Sequence, residues 1–219
     1  MFVLTCPFAR DDFTAFHQKS VKSAFVLKPQ RWHHFLHMTK LPIGVMRIDL
    51  PEGTRDYVTC IDKGRLFTAE GILSEWIIGA LLRPLEPGEA ITPGNFAANS
   101  VFVDLMQGVI ARRGPWVSDL IADARRLGDG TLYVLDQRTR APQSPVREVP
   151  TEDIFGEFDV KDGQIVHGSY RPNPKHYLFS PDGFFQLGAQ LEDCLLEVLA
   201  AISNPDDDSE LGGSQNSVN

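Results

Sequence analysis

The spacing of apolar residues changes several times along the chain, and each change marks a predicted element. Residues 2–5 read as a strand, and Asp11 or Asp12 can cap a helix that carries Phe13, Phe16, Val21 and Phe25 toward a core. Pro29 suits the first turn of a short helix with Trp32, Phe35 and Leu36 on one side. Pro42-Ile43-Gly44 breaks that helix, and residues 44–50 follow as a strand. Two runs, 57–61 and 65–69, flank Asp62-Lys63-Gly64 and predict a β-hairpin. Leu73, Trp76, Ile77, Ala80 and Leu81 recur at i, i+3, i+4, i+7 and i+8, which predicts an amphipathic helix over 72–83 closed by Pro84.

Residues 85–94 are rich in proline and glycine and read as a surface loop, the place where two lobes would meet. Val101, Phe102, Leu105, Met106, Val109 and Ile110 repeat at helical spacing. After Gly114-Pro115 so do Val117, Leu120, Ile121, Ala124 and Leu127, and the two helices are expected to pack as a hairpin turning at Gly114. From Gly128 onward strands return at 131–135 and 146–149. The runs 157–160 and 164–167 bracket Lys161-Asp162-Gly163, and Ser180-Pro181-Asp182-Gly183 joins 177–179 to 184–187. A last helix over 189–203 shows Leu191, Leu195, Val198, Leu199 and Ile202. Strands grouped in hairpins and helices grouped in pairs predict an α+β fold: a mostly antiparallel sheet packed against paired helices, in a single domain over 1–203.

Composition sharpens this picture at the C-terminus. Residues 204–219 are almost devoid of apolar side chains, cannot repay their ordering entropy, and are expected to form a disordered acidic tail. That tail holds four of the 29 acidic residues and no base, so the net charge of −8 leaves the body at only −4. A mildly acidic body lacks the basic face that releases counterions from nucleic acid, and no nucleic-acid partner is expected. The longest apolar stretch, residues 76–82, is too short to span a bilayer. Met1 to Phe8 carries no basic leader region, and Cys6, Cys60 and Cys194 form no CxxC pair. A reducing cytoplasm is therefore the expected location.

Motifs that announce chemistry are scarce. His33 and His37 stand four apart with His34 between them, a spacing that can bring two imidazoles to one metal. No HExxH follows and a third ligand is lacking, so no metal is expected. GxSxG, GxGxxG and GxxxxGK[ST] are all missing, and no cofactor is expected. Arg112-Arg113 and Arg125-Arg126 sit where cations favour helix C-termini. The segment from His167 to Tyr177 is different. It mixes aromatic, cationic and imidazole groups in a loop stiffened by Pro172 and Pro174, a composition suited to contact, and it supplies the candidate binding residues Tyr170, Arg171, Lys175, His176 and Tyr177. Asp136 and His176 are one acid and one base that can pair.

The run from Gly128 to Asp136, Gly-Asp-Gly-Thr-Leu-Tyr-Val-Leu-Asp, followed after a loop by Val146-Arg147-Glu148-Val149, resembles the strand-turn-strand core of the SMI1/KNR4-like (SUKH) immunity proteins. The resemblance covers about 30 residues; Leu41-Pro42 and Leu50-Pro51 do not lead into that family's acidic and aromatic helix and Asn-Gly turn, so no binding residue carries over. It implies a small α+β protein that binds and blocks a toxin domain without catalysis. The expectation is an intracellular protein-binding module, of the immunity or accessory kind in a bacterial conflict system. The alternative is an enzyme with a dispersed site using His176, Asp136 or the His33 to His37 cluster.

Overall fold

The computed structural model describes residues 24–25, 41–50, 53–60, 73–138 and 149–203. The predictions over 2–5, 11–23 and 29–36, the histidine cluster at 33–37, Cys6 and the tail 204–219 lie outside the described residues. The fold is α+β, built from antiparallel sheets and, among the described residues, three helices.

The first sheet is a meander of β1 (Ala24–Phe25), β2 (Gly44–Leu50), β3 (Gly53–Thr59), β4 (Ile77–Leu81) and β5 (Phe96–Ala98), each antiparallel to the next. Met46 and Ile48 alternate inward along β2, as a strand with one buried face requires. Two predictions change here. Ala24–Phe25 is strand paired with Ile48 and Arg47, where a helix was expected to run to Phe25. Tyr57 to Thr59 do form strand, and β3 pairs along one edge with β2, its hairpin partner, and along the other with β4. Residues 65–69 themselves lie outside the described set.

The second change is the predicted helix over 72–83. Ser74–Trp76 is a single tight turn, and Ile77–Leu81 is a strand. All five residues of β4 are buried, because both of its faces are covered. A strand buried on both faces reads as a continuous apolar run, and periodicity alone does not separate it from a buried helix. Gly79 settles the backbone approach: a methyl group there would lie within 2.6 Å of the Phe96 ring and against the Ala97 carbonyl on β5.

The helices follow their predicted bounds closely. Helix α1 (Ser100–Arg113) is capped by Asn99, whose side chain accepts from the Val101 N–H at 3.0 Å and donates to the carbonyls of Ser74 and Ile77 at 2.8 Å each. Helix α2 (Ser118–Leu127) ends at Gly128, where φ is +78°. Helix α3 spans Ala189–Ser203. The expected α1–α2 hairpin is replaced by another arrangement: α1 packs against α3, and α2 lies against the second sheet. The turn at Gly114–Trp116 redirects the chain, and Gly114 sits so close to Phe158 that a methyl group would fall 2.7 Å from its ring.

The second sheet comprises β6 (Gly130–Leu135), β7 (Ile154–Lys161), β8 (Gln164–Ile165) and β9 (Arg171–Pro172). β6 pairs with one edge of β7, while β8 and β9 share the other. The β7–β8 turn is the predicted Asp162-Gly163, with φ of +52° and +72°, the mirror-image turn that suits the twist of a two-residue hairpin. Residues 146–148 lie outside the described set, and Val149 is a bend. A small hairpin, β10 (Phe179–Ser180) with β11 (Gly183–Phe184), follows. One buried cluster draws on both sheets and on α1 and α3, including Ile48, Ile78, Phe102, Phe158, Phe185 and Leu195. The segment 85–94 connects β4 to its neighbour β5 within one sheet. No helix among the described residues is long and apolar enough to cross a membrane.

Candidate functional site

Where β6 ends, the chain buries a carboxylate. Asp136 is 1% exposed, and its backbone N–H donates to the Asp153 carbonyl at 2.8 Å. Its Oδ1 accepts the backbone N–H groups of Arg138 at 3.0 Å and Gln186 at 2.9 Å. Its Oδ2 lies 3.0 Å from His176 Nε2 and 3.0 Å from Arg138 Nη2. Arg138, also enclosed, donates to the carbonyls of Gly183 at 2.9 Å and Tyr177 at 2.7 Å and stands 3.1 Å from the Asp153 carboxylate. A buried charge is stable only when paired and hydrogen-bonded; Asp136 is held by two backbone N–H groups and two side chains, and both terminal nitrogens of Arg138 are engaged while its Nε is left without a hydrogen bond among the described residues.

The pairing of Asp136 with His176, suggested by residue type alone, is thus present. Its setting restricts what it does. The His176 side chain is 3% exposed, and its ring lies over Phe155 with centroids 4.3 Å apart. A general base must reach the proton it removes. This imidazole is enclosed by Asp136 and Phe155, and the pair acts as a tether that fastens the loop before β10 to the end of β6.

Other tethers hold the same loop. Tyr170 turns inward: its ring lies 4.9 Å from that of Phe158, and its hydroxyl donates to Gln107 on α1 at 2.5 Å. Burial pushes the Tyr170 phenol above its ordinary range. Asn173 donates through its amide to the carbonyls of Thr151 and Ile154 at 2.7 Å each, and its backbone N–H donates to Phe155 at 2.9 Å. Arg171 lies across the outer face of the sheet and meets Glu157 at 2.8 Å and Asp159 at 2.7 Å. Those carboxylates hold the guanidinium charged, pushing its pKa upward, Asp159 being the stronger partner.

The loop from 167 to 177 is consequently a ridge, with Tyr170, Asn173 and His176, every third residue, pinned beneath and Arg171, Lys175 and Tyr177 facing solvent. Of the five sequence-predicted binding residues, Arg171, Lys175 and Tyr177 are exposed, Tyr177 to 60%. Tyr170 and His176 are inward anchors. Trp116, which the sequence reading did not single out, is 70% exposed and lies 5.1 Å from the His167 ring at one end of the ridge. Its only local signal is its place after Gly114-Pro115, a turn that takes it off the apolar faces of α1 and α2. Arg138 and Asp153 were missed as well, because nothing in their spacing foretells that they meet.

Elsewhere the chemistry is structural. A groove of about 600 Å³ is lined by Pro42, Cys60, Trp76 and Leu196, but burial pushes the Cys60 thiol up to about 12, far from a usable thiolate. The arginine pairs occupy the last turns of α1 and α2, and Arg126 is paired with Asp123. No group of three metal-ligating side chains occurs among the described residues. Compared with protein-family models, curated proteins and solved structures, the chain matches none. The functional reading therefore rests on the geometry of the site.

Proposed function

We propose that this protein is a protein-binding module whose contact surface is the ridge from His167 to Tyr177 together with Trp116. The observation that carries the reading is the division of labour along the ridge. Tyr170, Asn173 and His176 fix the backbone from below, so that Lys175, Tyr177 and Trp116 stand in solvent on a support that loses little entropy on binding. Exposed Trp and Tyr on a rigid base are the side chains that dominate binding energy at protein interfaces. Cys60 and Cys194 are free thiols, which suits a protein that works in the cytoplasm. The narrower form of the proposal, an immunity or accessory protein of a bacterial conflict system, draws on the resemblance over 128–160, and a toxin domain is its partner.

The test is capture of the partner from native cell extract, with titration of the captured protein. Replacing Trp116, Lys175 and Tyr177 together by alanine is expected to weaken capture by about 2 kcal/mol or more, roughly thirtyfold, with unfolding unchanged. Leu82→Ala, at an exposed side chain just after β4, is expected to leave capture intact. Equal capture by the triple variant rejects the ridge.

The catalytic alternative draws on the 3.0 Å approach of His176 to Asp136. The enclosure of both groups speaks against it, since neither side chain is more than 3% exposed.

A further inference from the structure

Strand β6 has one edge on β7, and among the described residues nothing pairs with the other. The hydrogen-bond pattern fixes which of its groups face outward. Asp159 on β7 accepts from the Val166 N–H at 2.8 Å, and its own N–H donates to Ser169 Oγ at 3.0 Å, so its backbone groups point away from β6. The Phe155 carbonyl, two pairs further along, likewise accepts from Asn173 on the β9 side. Thr131 and Tyr133 stand opposite Asp159 and Glu157. In an antiparallel ladder, residues facing such non-bonded partners turn their own N–H and C=O to the opposite edge. The backbone groups of Thr131 and Tyr133 therefore project from the edge of β6 that faces away from β7, while Gly130, Leu132 and Val134 bond inward.

That edge forms one wall of a cleft of about 200 Å³ whose other sides come from α2, the start of α3 and Val149. Val117, Leu120 and Leu191 give it an apolar floor, and Asp119 and Asp123 line its α2 side. No basic residue is among the described residues that line it. Asp123 is paired with Arg126, and Asp119 is exposed. We infer that the β6 edge is a second docking surface, which accepts an extended segment of a partner protein carrying alternating apolar and basic side chains. The segment adds as a further antiparallel strand, exchanging hydrogen bonds with Thr131 and Tyr133 while a basic side chain meets the exposed Asp119. A second copy of this chain fits the charge badly, because the same acidic wall would approach its own image.

The experiment is amide hydrogen exchange on the full chain, alone and with a blocked probe peptide of alternating valine and lysine. In the protein alone, Thr131 and Tyr133 are expected to exchange rapidly and Leu132 and Val134 slowly. Saturating peptide is expected to slow Thr131 and Tyr133 about tenfold or more. Asp119→Lys, an exposed change that leaves the fold intact, is expected to raise the peptide dissociation constant about tenfold, and a valine–glutamate peptide to give no protection. Slow exchange at Thr131 and Tyr133 in the protein alone would mean that the edge is already covered and would overturn the inference. So would peptide binding that leaves those two amides unchanged. Concentration-dependent dimers in sedimentation, with protection of the same amides, would replace the partner strand by a second copy.

Discussion

Asp136 illustrates how much one side chain organises. Its two oxygens meet groups from Arg138, Gln186 and His176, and so it joins the end of β6, the loop before β10 and the segment between β11 and α3. Asp136→Asn keeps the volume but leaves Arg138 buried with Asp153 as its one carboxylate partner. It is expected to cost about 3 kcal/mol, read as a lower urea midpoint at constant slope, because removing one side of a buried ion pair strands the other. The identity of this residue pair was legible as types alone: an acid after a strand and a histidine in a polar loop. Their 40-residue separation carried no distance, and Arg138 and Asp153 joined them only when the chain folded.

At the scale of elements, β4 is the instructive case. Ile77-Ile78-Gly79-Ala80-Leu81 fits a helical stripe, yet the segment is a central strand whose Gly79 lets β5 approach. Gly79→Ala raises helix propensity but inserts a methyl group against Phe96 and Ala97. It is expected to destabilise the fold by about 1–3 kcal/mol in a thermal or urea titration. A neutral result would mean that β4 and β5 are further apart than the register places them. By contrast, the β7–β8 hairpin was readable in advance, because Asp162-Gly163 specifies positive φ locally and the flanking alternation fixes which face turns inward. Helices α1 and α3 were equally legible from their apolar stripes.

For the molecule as a whole, pH dependence follows from groups that burial holds protonated. An ordinary thiol titrates at 9.0, whereas Cys60 is pushed up to about 12 in the fold, and Tyr170 is shifted in the same direction. Below about 9 both states carry the thiol proton, and this contribution to stability is fully present. Above it the unfolded chain releases the proton while the folded chain keeps it, so stability falls steadily toward pH 12. Urea midpoints at pH 7, 9 and 10.5 are expected to decline over the last interval, and Cys60→Ala to reduce the decline; a flat profile would contradict the burial of these groups. The sequence by itself determined the α+β class, the helical stripes over 101–110, 117–127 and 189–203, and the turn at 162–163, because spacing and turn chemistry act within a few residues. The tertiary structure alone decided that 77–81 is a strand, that α1 pairs with α3, and that Tyr170 and His176 point inward while Trp116 and Tyr177 point out. Each of those outcomes depends on which distant surface covers a segment, and that information is spread along the whole chain instead of residing in any one window.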